Sequence, residues 1–334
     1  MSGPVPLVHV LRGGRIESVH HGSYVLVQDG LVIEDAGNPD RRAYFRSTAK
    51  PFQSMACVLS GAADAYGFTP AMLSLAAGSH NGEARHVALV REMLTSAGIE
   101  EDALQCGGHW AIDADVRREQ MQAIGDAEKP PAVYSNCSGK HASMLASAKH
   151  LGAPLGTYLD PSHPVQQGIT DVIAACAGTD LDSIGIAIDG CGAPVHEITV
   201  TQMAHAMHRF GCPETLPEAM ASAARRVAEG MEAHPEMVAG LRRFDTDLME
   251  LSGAVLLAKA GAEGVHGVAV PHLKLGLAVK VEDGHDRGYR QVVIELLRRH
   301  GALTAKEADA LSERHGRTMK NFGGTEVGRL AVMI

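Results

Sequence analysis

Aromatic residues are scarce in this chain of 334 residues: they make up 4% of it, with a single tryptophan. The core must therefore be built from aliphatic residues and methionine, since hydrophobic residues still make up 45% of the chain. Long apolar runs are also missing. No stretch approaches the roughly 18 consecutive apolar residues of a membrane span, which predicts a chain that does not cross a membrane.

Paired cysteine motifs and a surplus of positive charge are absent as well. The six cysteines are widely spaced and form no Cys-x-x-Cys, which indicates reduced thiols rather than a disulfide framework. The net charge of -9 argues against a nucleic-acid-binding surface. The sequence begins Met1-Ser2-Gly3-Pro4, without a basic and then apolar leader, so we expect a cytoplasmic protein.

Predicted strands lie at both ends of the chain, and predicted helices lie in the middle. Residues 24–28 and 31–34 flank Asp29-Gly30, a pattern typical of a tight β-hairpin. The pattern predicts an α+β fold with an antiparallel sheet from both chain ends, flanked by helices, and an inserted helical region. The expected boundaries are a single unit over residues 1–334, with a sheet part of 1–45 plus 255–334 and a mainly helical part of 46–254.

A Ser-x-x-Lys tetrad, formed by Ser47 and Lys50, occurs once in the chain. It precedes a segment in which apolar residues recur at helical spacing from Phe52 to Leu59, so the tetrad is expected where a strand leads into a helix. A lysine amine that burial keeps neutral can accept the proton of a neighbouring serine hydroxyl and so generate a nucleophile. A tetrad of this kind is also expected roughly once by chance in a chain this long, as a surface serine and lysine at a helix start.

Two further motifs follow the tetrad in sequence order. Ser79-His80-Asn81 lies in a glycine-flanked turn, and Lys259-Ala260-Gly261 is expected just before a strand. Ser-x-x-Lys, Ser-x-Asn and Lys-x-Gly in this order resemble the motif set of serine β-lactamases and penicillin-binding proteins. The resemblance implies a nucleophile, an adjacent base, a second hydroxyl that relays protons and a distant cation. Each motif taken alone is more often structural, with Ser79 as a turn hydroxyl and Lys259 as a solvated side chain.

A second group of candidate residues combines two cysteines with a lysine. Cys137 and Lys140 lie in a polar loop before a helix, and Cys191 follows a short predicted strand. Two thiolates and one nitrogen donor suit zinc, provided that the lysine loses its proton. The alternative is a pair of small buried thiols in the core.

Longer strings around these residues resemble the L-asparaginase II family of the Rhizobium etli type. The strings are Arg46-Ser47-x-x-Lys50-Pro51, Ser79-His80, Cys106-Gly107-Gly108-His109, Ser135-Asn136-Cys137-Ser138-Gly139-Lys140-His141, Asp189-Gly190-Cys191 and His234-Pro235-Glu236-Met237-Val238-Ala239-Gly240. The resemblance runs from about Arg12 to about Gly328. It implies a serine β-lactamase-like fold and a homodimer.

The same resemblance implies a role for each candidate residue. Ser47 would be the nucleophile and Lys50 its base, while Ser79 and Lys259 would form a second Ser-Lys pair that tunes protonation. The ligands of one zinc ion near the substrate would be Cys137, Lys140 and Cys191. The residues that support the site or the substrate would be Arg46, His80, His141 and Asp189.

These observations predict an amidohydrolase that converts L-asparagine and water into L-aspartate and ammonia. In one departure from the family pattern, Gly192-Ala193-Pro194 stands where rhizobial members tend to carry asparagine and then a bulkier residue, which leaves the preference for asparagine over glutamine open. One alternative is another serine amidase, a peptidase or a β-lactam hydrolase of the same fold. The other is a non-catalytic amino-acid-binding protein in which the serines and lysines hold the charges of the ligand.

Overall fold

The computed structural model describes residues 3–125, 127–253 and 255–334. The strands are β1 (Val5–Arg12), β2 (Arg15–Gln28), β3 (Leu31–Ala36), β4 (Arg42–Tyr44), β5 (Gly185–Ile188), β6 (Pro194–Thr199), β7 (Leu257–Gly261), β8 (Val265–Val270), β9 (Leu275–Val281), β10 (Thr318–Lys320) and β11 (Glu326–Val332). The α-helices are α1 (Lys50–Leu59), α2 (Ala62–Ala65), α3 (Pro70–Ala76), α4 (Ala84–Ser96), α5 (Ala114–Ile124), α6 (Ser138–His150), α7 (Pro164–Ala177), α8 (Val200–Gly211), α9 (Glu218–Ala233), α10 (Pro235–Val238), α11 (Phe244–Leu251), α12 (Asp286–Arg299) and α13 (Ala305–Arg314).

Strands from both ends of the chain build one large antiparallel sheet. Its order is β10-β11-β1-β2-β9-β8-β7, and β3 also pairs with β2. Val8 of β1 lies opposite Val332 of β11, so the first and last strands are direct neighbours. The predicted α+β arrangement, with a sheet drawn from both chain ends, is confirmed.

The hairpin between β2 and β3 forms at Asp29-Gly30, as predicted. Both turn residues have positive φ, 49° at Asp29 and 81° at Gly30. A two-residue turn with positive φ at both positions matches the right-handed twist of the flanking strands, and asparagine, aspartate and glycine tolerate that backbone best. The turn chemistry therefore sets the register of this corner of the sheet.

Helices cover both faces of the large sheet. Successive side chains of a strand point to opposite faces, and β8 illustrates this: Gly267 approaches Met207 of α8, whereas His266 stacks on Tyr289 of α12 with ring centroids 4.9 Å apart. The contact between β9 and α8 is so close that a Cβ at Gly276 would lie 2.4 Å from the backbone nitrogen of His208. Helix α8 thereby docks the central part of the chain onto the sheet.

Helix α1 occupies the middle of the helical region, where it packs against α6, α7 and α9. The predicted apolar stripe is buried, with Phe52 and Met55 fully inaccessible to solvent. Pro51 stands in the first turn of α1, where its missing N–H and fixed φ cost nothing. The 3-10 turn Arg46–Ala49 runs directly into this helix, so the tetrad lies at a strand-to-helix entry, as predicted.

A small sheet with the order β4-β6-β5 lies beside the start of α1. β4 and β5 are both antiparallel to β6, so they run parallel to each other and end at the same edge. The chain leaves β4 toward Arg46 and leaves β5 toward Asp189, which brings these two residues together although they are far apart in sequence. β4 thus pairs with strands of the central region and not with the large sheet.

Two expectations about the whole chain concern membranes and thiols. No helix of the described residues is both long and apolar enough to cross a membrane. Each of the six cysteines carries a free, buried thiol.

Candidate active site

Ser47 lies in a strained turn. The preceding residue, Arg46, has φ 51°, in the left-handed region that residues other than glycine seldom adopt. Such strain persists where surrounding contacts fix the backbone. The guanidinium of Arg46 pairs with the carboxylate of Asp189 at 3.0 Å, and the N–H of Phe45 donates to the carbonyl of His196 at 2.8 Å. These contacts hold Ser47, which is half-buried, in one position.

Lys50 lies one turn after Ser47 and is buried, with 1% of its surface exposed. Its Nζ donates to the carbonyl oxygens of Gly78 at 2.7 Å and of Asn136 at 3.1 Å. Burial lowers the pKa of Lys50, and the nearby Lys140 lowers it further. When this amine is neutral, the two carbonyls use both of its N–H donors, so its lone pair is left to accept a proton.

Ser47 and Ser79 line one cavity of about 410 Å³ together with Lys259. The hydroxyl oxygen of Ser79 is buried without a hydrogen-bond partner among the described residues. Lys259 is completely buried, and its Nζ donates to the carbonyl of Ala260 at 2.6 Å. Lys50 lies on the other side of Ser47, where both line a pocket too narrow for a water molecule. The fold therefore gathers the other three predicted catalytic residues around Ser47.

Asp245 of α11 stands behind Lys259 in the same cavity. Its carboxylate accepts hydrogen bonds from the N–H of Ala260 at 2.8 Å and from Nε2 of His266 at 2.9 Å, and it lies 3.7 Å from the Nζ of Lys259. Burial lowers the pKa of Lys259 to about 7, because the attraction of Asp245 offsets only part of the desolvation and Lys50 and Arg243 repel the charge. Lys259 can therefore exchange a proton near neutral pH.

The Lys-x-Gly motif lies just before strand β8, as the sequence pattern predicted, and it also forms the end of strand β7, which was not predicted. The segment is short and ends at a turn into β8, so its strand character was hidden. Its glycine has a steric reason: a Cβ on Gly261 would lie 2.8 Å from Oγ1 of Thr48. Thr48 also donates to the carbonyl of Lys259 at 3.3 Å. The edge strand of the sheet therefore packs directly on the turn that carries Ser47.

Cys137, Lys140 and Cys191, the thiol cluster, lie together and are buried. The Nζ of Lys140 donates to Sγ of Cys191 at 3.0 Å. A hydrogen bond from the thiol of Cys191 holds the pKa of Cys137 well below its usual range, despite burial. Burial by itself lowers the pKa of Lys140, but the two sulfur atoms outweigh it and raise the pKa. The three side chains therefore form one hydrogen-bonded chain, from Lys140 to Cys191 to Cys137.

The donor chemistry of the thiol cluster fits zinc on one condition. Across residues 3–125, 127–253 and 255–334, no three or more histidine, cysteine, aspartate or glutamate side chains group in a way that could hold a metal ion. The cluster supplies two such side chains and an amine. Two thiolates and a neutral amine are zinc donors, so binding requires Cys191 and Lys140 to release their protons.

His80 is buried beneath the turn that carries Ser79. Its Nδ1 accepts the N–H of Gly82 at 3.1 Å, and its Nε2 lies 3.1 Å from the hydroxyl of Ser138. That hydroxyl donates to the carbonyl of Val133, so His80 must donate to it through Nε2. Burial lowers the pKa of His80 well below its usual range, which agrees with a neutral ring. His80 therefore supports the loop and does not line the cavity of Ser47.

His141 on α6 is also buried and lies next to Lys140. Its Nδ1 lies 2.6 Å from the hydroxyl of Tyr158, which accepts the N–H of Gln105 at 3.0 Å. Burial lowers the pKa of His141 well below its usual range. Tyr158 thus fixes the orientation of the imidazole beside the thiol cluster.

Comparison with known proteins adds to this geometry. The sequence model of the family described as L-asparaginase II matches residues 8–332. The chain belongs to the L-asparaginase II family. No curated protein sequence matches the chain.

Solved structures similar to this L-asparaginase II family member share little of its sequence. A β-lactamase from Mycobacterium bovis has 13% identity and a TM-score of 0.40, with 88% of this chain and 94% of that chain covered. A class C β-lactamase from Rhodobacter sphaeroides has 14% identity and a TM-score of 0.42, with 86% and 94% covered. The protein Mglu in its native form has 15% identity and a TM-score of 0.46, with 84% of this chain and 65% of that chain covered.

Three residues at the site of this L-asparaginase II family member were missed by sequence reasoning. Asp245 and Arg243 line the cavity, and Tyr158 holds His141. None of them belongs to a recognised motif. The only available signal was the position of Arg243 and Asp245 shortly after the string that ends at Gly240.

Proposed function

We propose that this protein hydrolyses the side-chain amide of L-asparagine to L-aspartate and ammonia. The observation that carries the proposal is the convergence of Ser47, Ser79 and the buried Lys259 on one cavity, with the buried Lys50 behind Ser47, in a member of the L-asparaginase II family. Two serines and two lysines of lowered pKa, gathered at Ser47, are suited to acyl transfer through a serine ester.

In the first half of the reaction, the hydroxyl of Ser47 attacks the side-chain amide carbon of asparagine. The lone pair of Lys50 accepts the hydroxyl proton as the new C–O bond forms. Backbone N–H groups around Ser47 would stabilise the oxyanion. Ammonia leaves when the C–N bond breaks and its nitrogen takes a proton from protonated Lys259 through the hydroxyl of Ser79.

In the second half, water hydrolyses the acyl group on Ser47. Lys259 has given up its proton and can now accept one from the attacking water, again through Ser79. As the new C–O bond forms, the ester C–O bond to Ser47 breaks and the proton held by Lys50 returns to the oxygen of Ser47. The carboxylic acid released then ionises to L-aspartate, and its proton passes to ammonia. Catalytic hydrogen bonds often shorten only when substrate binds, so the absence of a hydrogen bond between Ser47 and Lys50 among the described residues agrees with this sequence of steps.

Zinc is part of the proposal. The thiol cluster would hold it through the sulfur atoms of Cys137 and Cys191 and the amine of Lys140. When bound, zinc would supply positive charge beside the site and favour substrate binding. The steps above use only side chains of the chain itself.

The test is ammonia release from L-asparagine, with L-glutamine in a parallel reaction, by the wild-type protein and by Ser47→Ala. We expect release from asparagine by the wild type, a loss of about 10⁴-fold or more in Ser47→Ala, and an unchanged fold by circular dichroism. Release from both amides would keep the chemistry and broaden the substrate. Full activity in Ser47→Ala would place the nucleophile elsewhere, and no release by zinc-saturated wild type would overturn the proposal.

A further inference from the structure

Arg243 lines the same cavity as Ser47, Ser79 and Lys259. It stands at the start of α11, two residues before Asp245, and is partly exposed. Among the described residues it forms no ion pair with a carboxylate. Arg46, the other arginine next to Ser47, already has its carboxylate partner in Asp189 at 3.0 Å. Of these two guanidinium groups, that of Arg243 is therefore the one free to bind an anion in the cavity.

Asn81 holds Arg243 in place. Its Oδ1 accepts a hydrogen bond from Nη1 of Arg243 at 2.9 Å, and only 3% of Asn81 is exposed. Asn81 is the asparagine of the Ser-x-Asn motif, yet it does not line the cavity. One edge of the guanidinium is fixed by this contact, and the remaining N–H groups stay available as donors.

The backbone before Arg243 is fixed as well. Gly240 has φ 105°, and a Cβ there would lie 2.4 Å from Oε1 of Glu83, so glycine is required. The same oxygen accepts the N–H of Leu241 at 2.9 Å. Glu83 and Asn81 follow Ser79 in one loop, so that loop positions both a serine and an arginine of the cavity.

Three carboxylates line the cavity, and none of them pairs with Arg243; one of the three, Glu263, is exposed. The carboxylate of Asp245 is buried and already bound by His266, the N–H of Ala260 and Lys259. Asp286, which also lines the cavity, pairs with Arg290. Arg243 is left as a cation whose charge no described carboxylate neutralises, and a guanidinium binds a carboxylate through two parallel hydrogen bonds.

We propose that Arg243 binds the α-carboxylate of the substrate and restricts the substrate to side-chain amides that carry a free α-carboxylate. The inference rests on the proposed function. In asparagine only two carbon atoms separate the amide carbon from the α-carboxylate carbon, so both groups must fit into the cavity of Ser47. An asparagine within a peptide lacks a free α-carboxylate and is excluded.

The experiment compares L-asparagine with 3-aminopropanamide, which is asparagine without its α-carboxylate, in zinc-saturated full-length protein. We expect the wild type to prefer L-asparagine by about 100-fold or more in kcat/KM, since each hydrogen bond to a charged group contributes strongly. Arg243→Met should lose about that factor toward L-asparagine and far less toward 3-aminopropanamide, where the only effect of Arg243 is to lower the pKa of Lys259. Activity retained toward the second amide also shows that the variant is folded.

Arg242→Met is the matched control. Arg242 is the adjacent arginine, but it is exposed and pairs with Asp113 and Asp115 outside the cavity. We expect this variant to keep the wild-type preference. Arg243→Lys keeps the charge without the planar pair of donors, so it should restore only part of the preference.

Binding of L-aspartate, measured by calorimetry, gives a second readout that does not need turnover. It should weaken about 100-fold in Arg243→Met and stay unchanged in Arg242→Met. If Arg243→Met releases ammonia from L-asparagine as fast as the wild type, or binds L-aspartate as tightly, Arg243 does not bind the carboxylate and only this inference fails. If the wild type releases no ammonia but Arg243 still governs L-aspartate binding, the proposed function fails and the carboxylate site stands.

Discussion

Ser47 separates two regions of the molecule that each contain a buried lysine. On one side, Lys259 faces a cavity of about 410 Å³ and one carboxylate, Asp245, at 3.7 Å. On the other side, Lys140 is enclosed with the sulfur atoms of Cys137 and Cys191. Burial penalises the ammonium form at both lysines. The neighbouring charges decide the outcome, since the pKa falls to about 7 at Lys259 and rises at Lys140.

The comparison shows that burial alone does not tell whether a lysine can act as an acid or a base. At Lys259 the attraction of one carboxylate is opposed by the nearby Lys50 and Arg243. At Lys140 two sulfur atoms act together, so the amine holds its proton until something stronger, such as a metal ion, displaces it. Lys259 is therefore suited to moving protons and the thiol cluster to binding a cation.

The largest expected effect that separates the two regions comes from Lys259→Met. Loss of the amine removes proton transfer to the departing ammonia, so we expect kcat for L-asparagine to fall about 10³-fold. Zinc content should stay unchanged, because the thiol cluster is not altered. Steady-state kinetics and elemental analysis of the same sample measure both.

Lys274→Met is the control for that variant, because Lys274 is exposed and lies outside the cavity. It should have wild-type activity. A Lys259→Met protein with normal kcat would show that the amine takes no part in proton transfer.

The next largest effect is expected on zinc binding by the thiol cluster. Wild-type protein should carry about one zinc ion per chain, and the double variant Cys137→Ser, Cys191→Ser should bind zinc more than about 100-fold more weakly, because serine hydroxyls are poor zinc ligands. Dialysis against a metal buffer followed by elemental analysis measures this. Cys176→Ser, at a buried thiol on α7, should keep its zinc. Equal zinc binding by all three proteins would assign Cys137 and Cys191 to the core.

A smaller effect is expected from Asp245→Asn. The charge of Asp245 favours protonated Lys259, so its removal lowers the pKa of Lys259 from about 7. Protonated Lys259 donates to ammonia, so kcat/KM should decrease as pH rises through about 7 in the wild type. In the variant that decrease should move to lower pH by about one unit.

The matched control for this pH profile is Asp286→Asn, which alters another carboxylate that lines the cavity. Its profile should stay close to that of the wild type. A decrease that stays at the same pH in Asp245→Asn, or one that moves to higher pH, would mean that Asp245 does not set the protonation of Lys259.

The smallest effect is expected from Gly261→Ala. The added Cβ would lie 2.8 Å from Oγ1 of Thr48 and displace the turn of Ser47, so we expect kcat to fall about 10-fold. Gly168→Ala is the control, because nothing lies within 4 Å of a Cβ at that helical position. Wild-type kcat in Gly261→Ala would show that the turn tolerates the displacement.

Local patterns along the chain were sufficient for parts of the fold. The Asp29-Gly30 hairpin follows from two residues that tolerate positive φ, and α1 follows from apolar residues at helical spacing. Strands at both ends predicted the shared sheet. The order of the three motifs predicted Ser47, Ser79 and Lys259 as site residues. They line one cavity, because each lies at the end of a strand or helix or in a strand that packs on the Ser47 turn.

The contacts that set the chemistry could not be predicted, because they join residues far apart in the chain. Nothing in the sequence around Asp245 indicates that α11 packs on β7 and brings its carboxylate to Lys259. The motif asparagine, Asn81, contacts Arg243 and not the cavity, which depends on how two loops meet.

The sequence by itself determined the elements, the α+β class and the residue types available for catalysis, since these depend on neighbours along the chain. Only the tertiary structure decided which charges face each buried lysine. A pKa depends on desolvation and on charges within a few ångströms, and that environment exists only after the sheet, the helices and the loops have packed together.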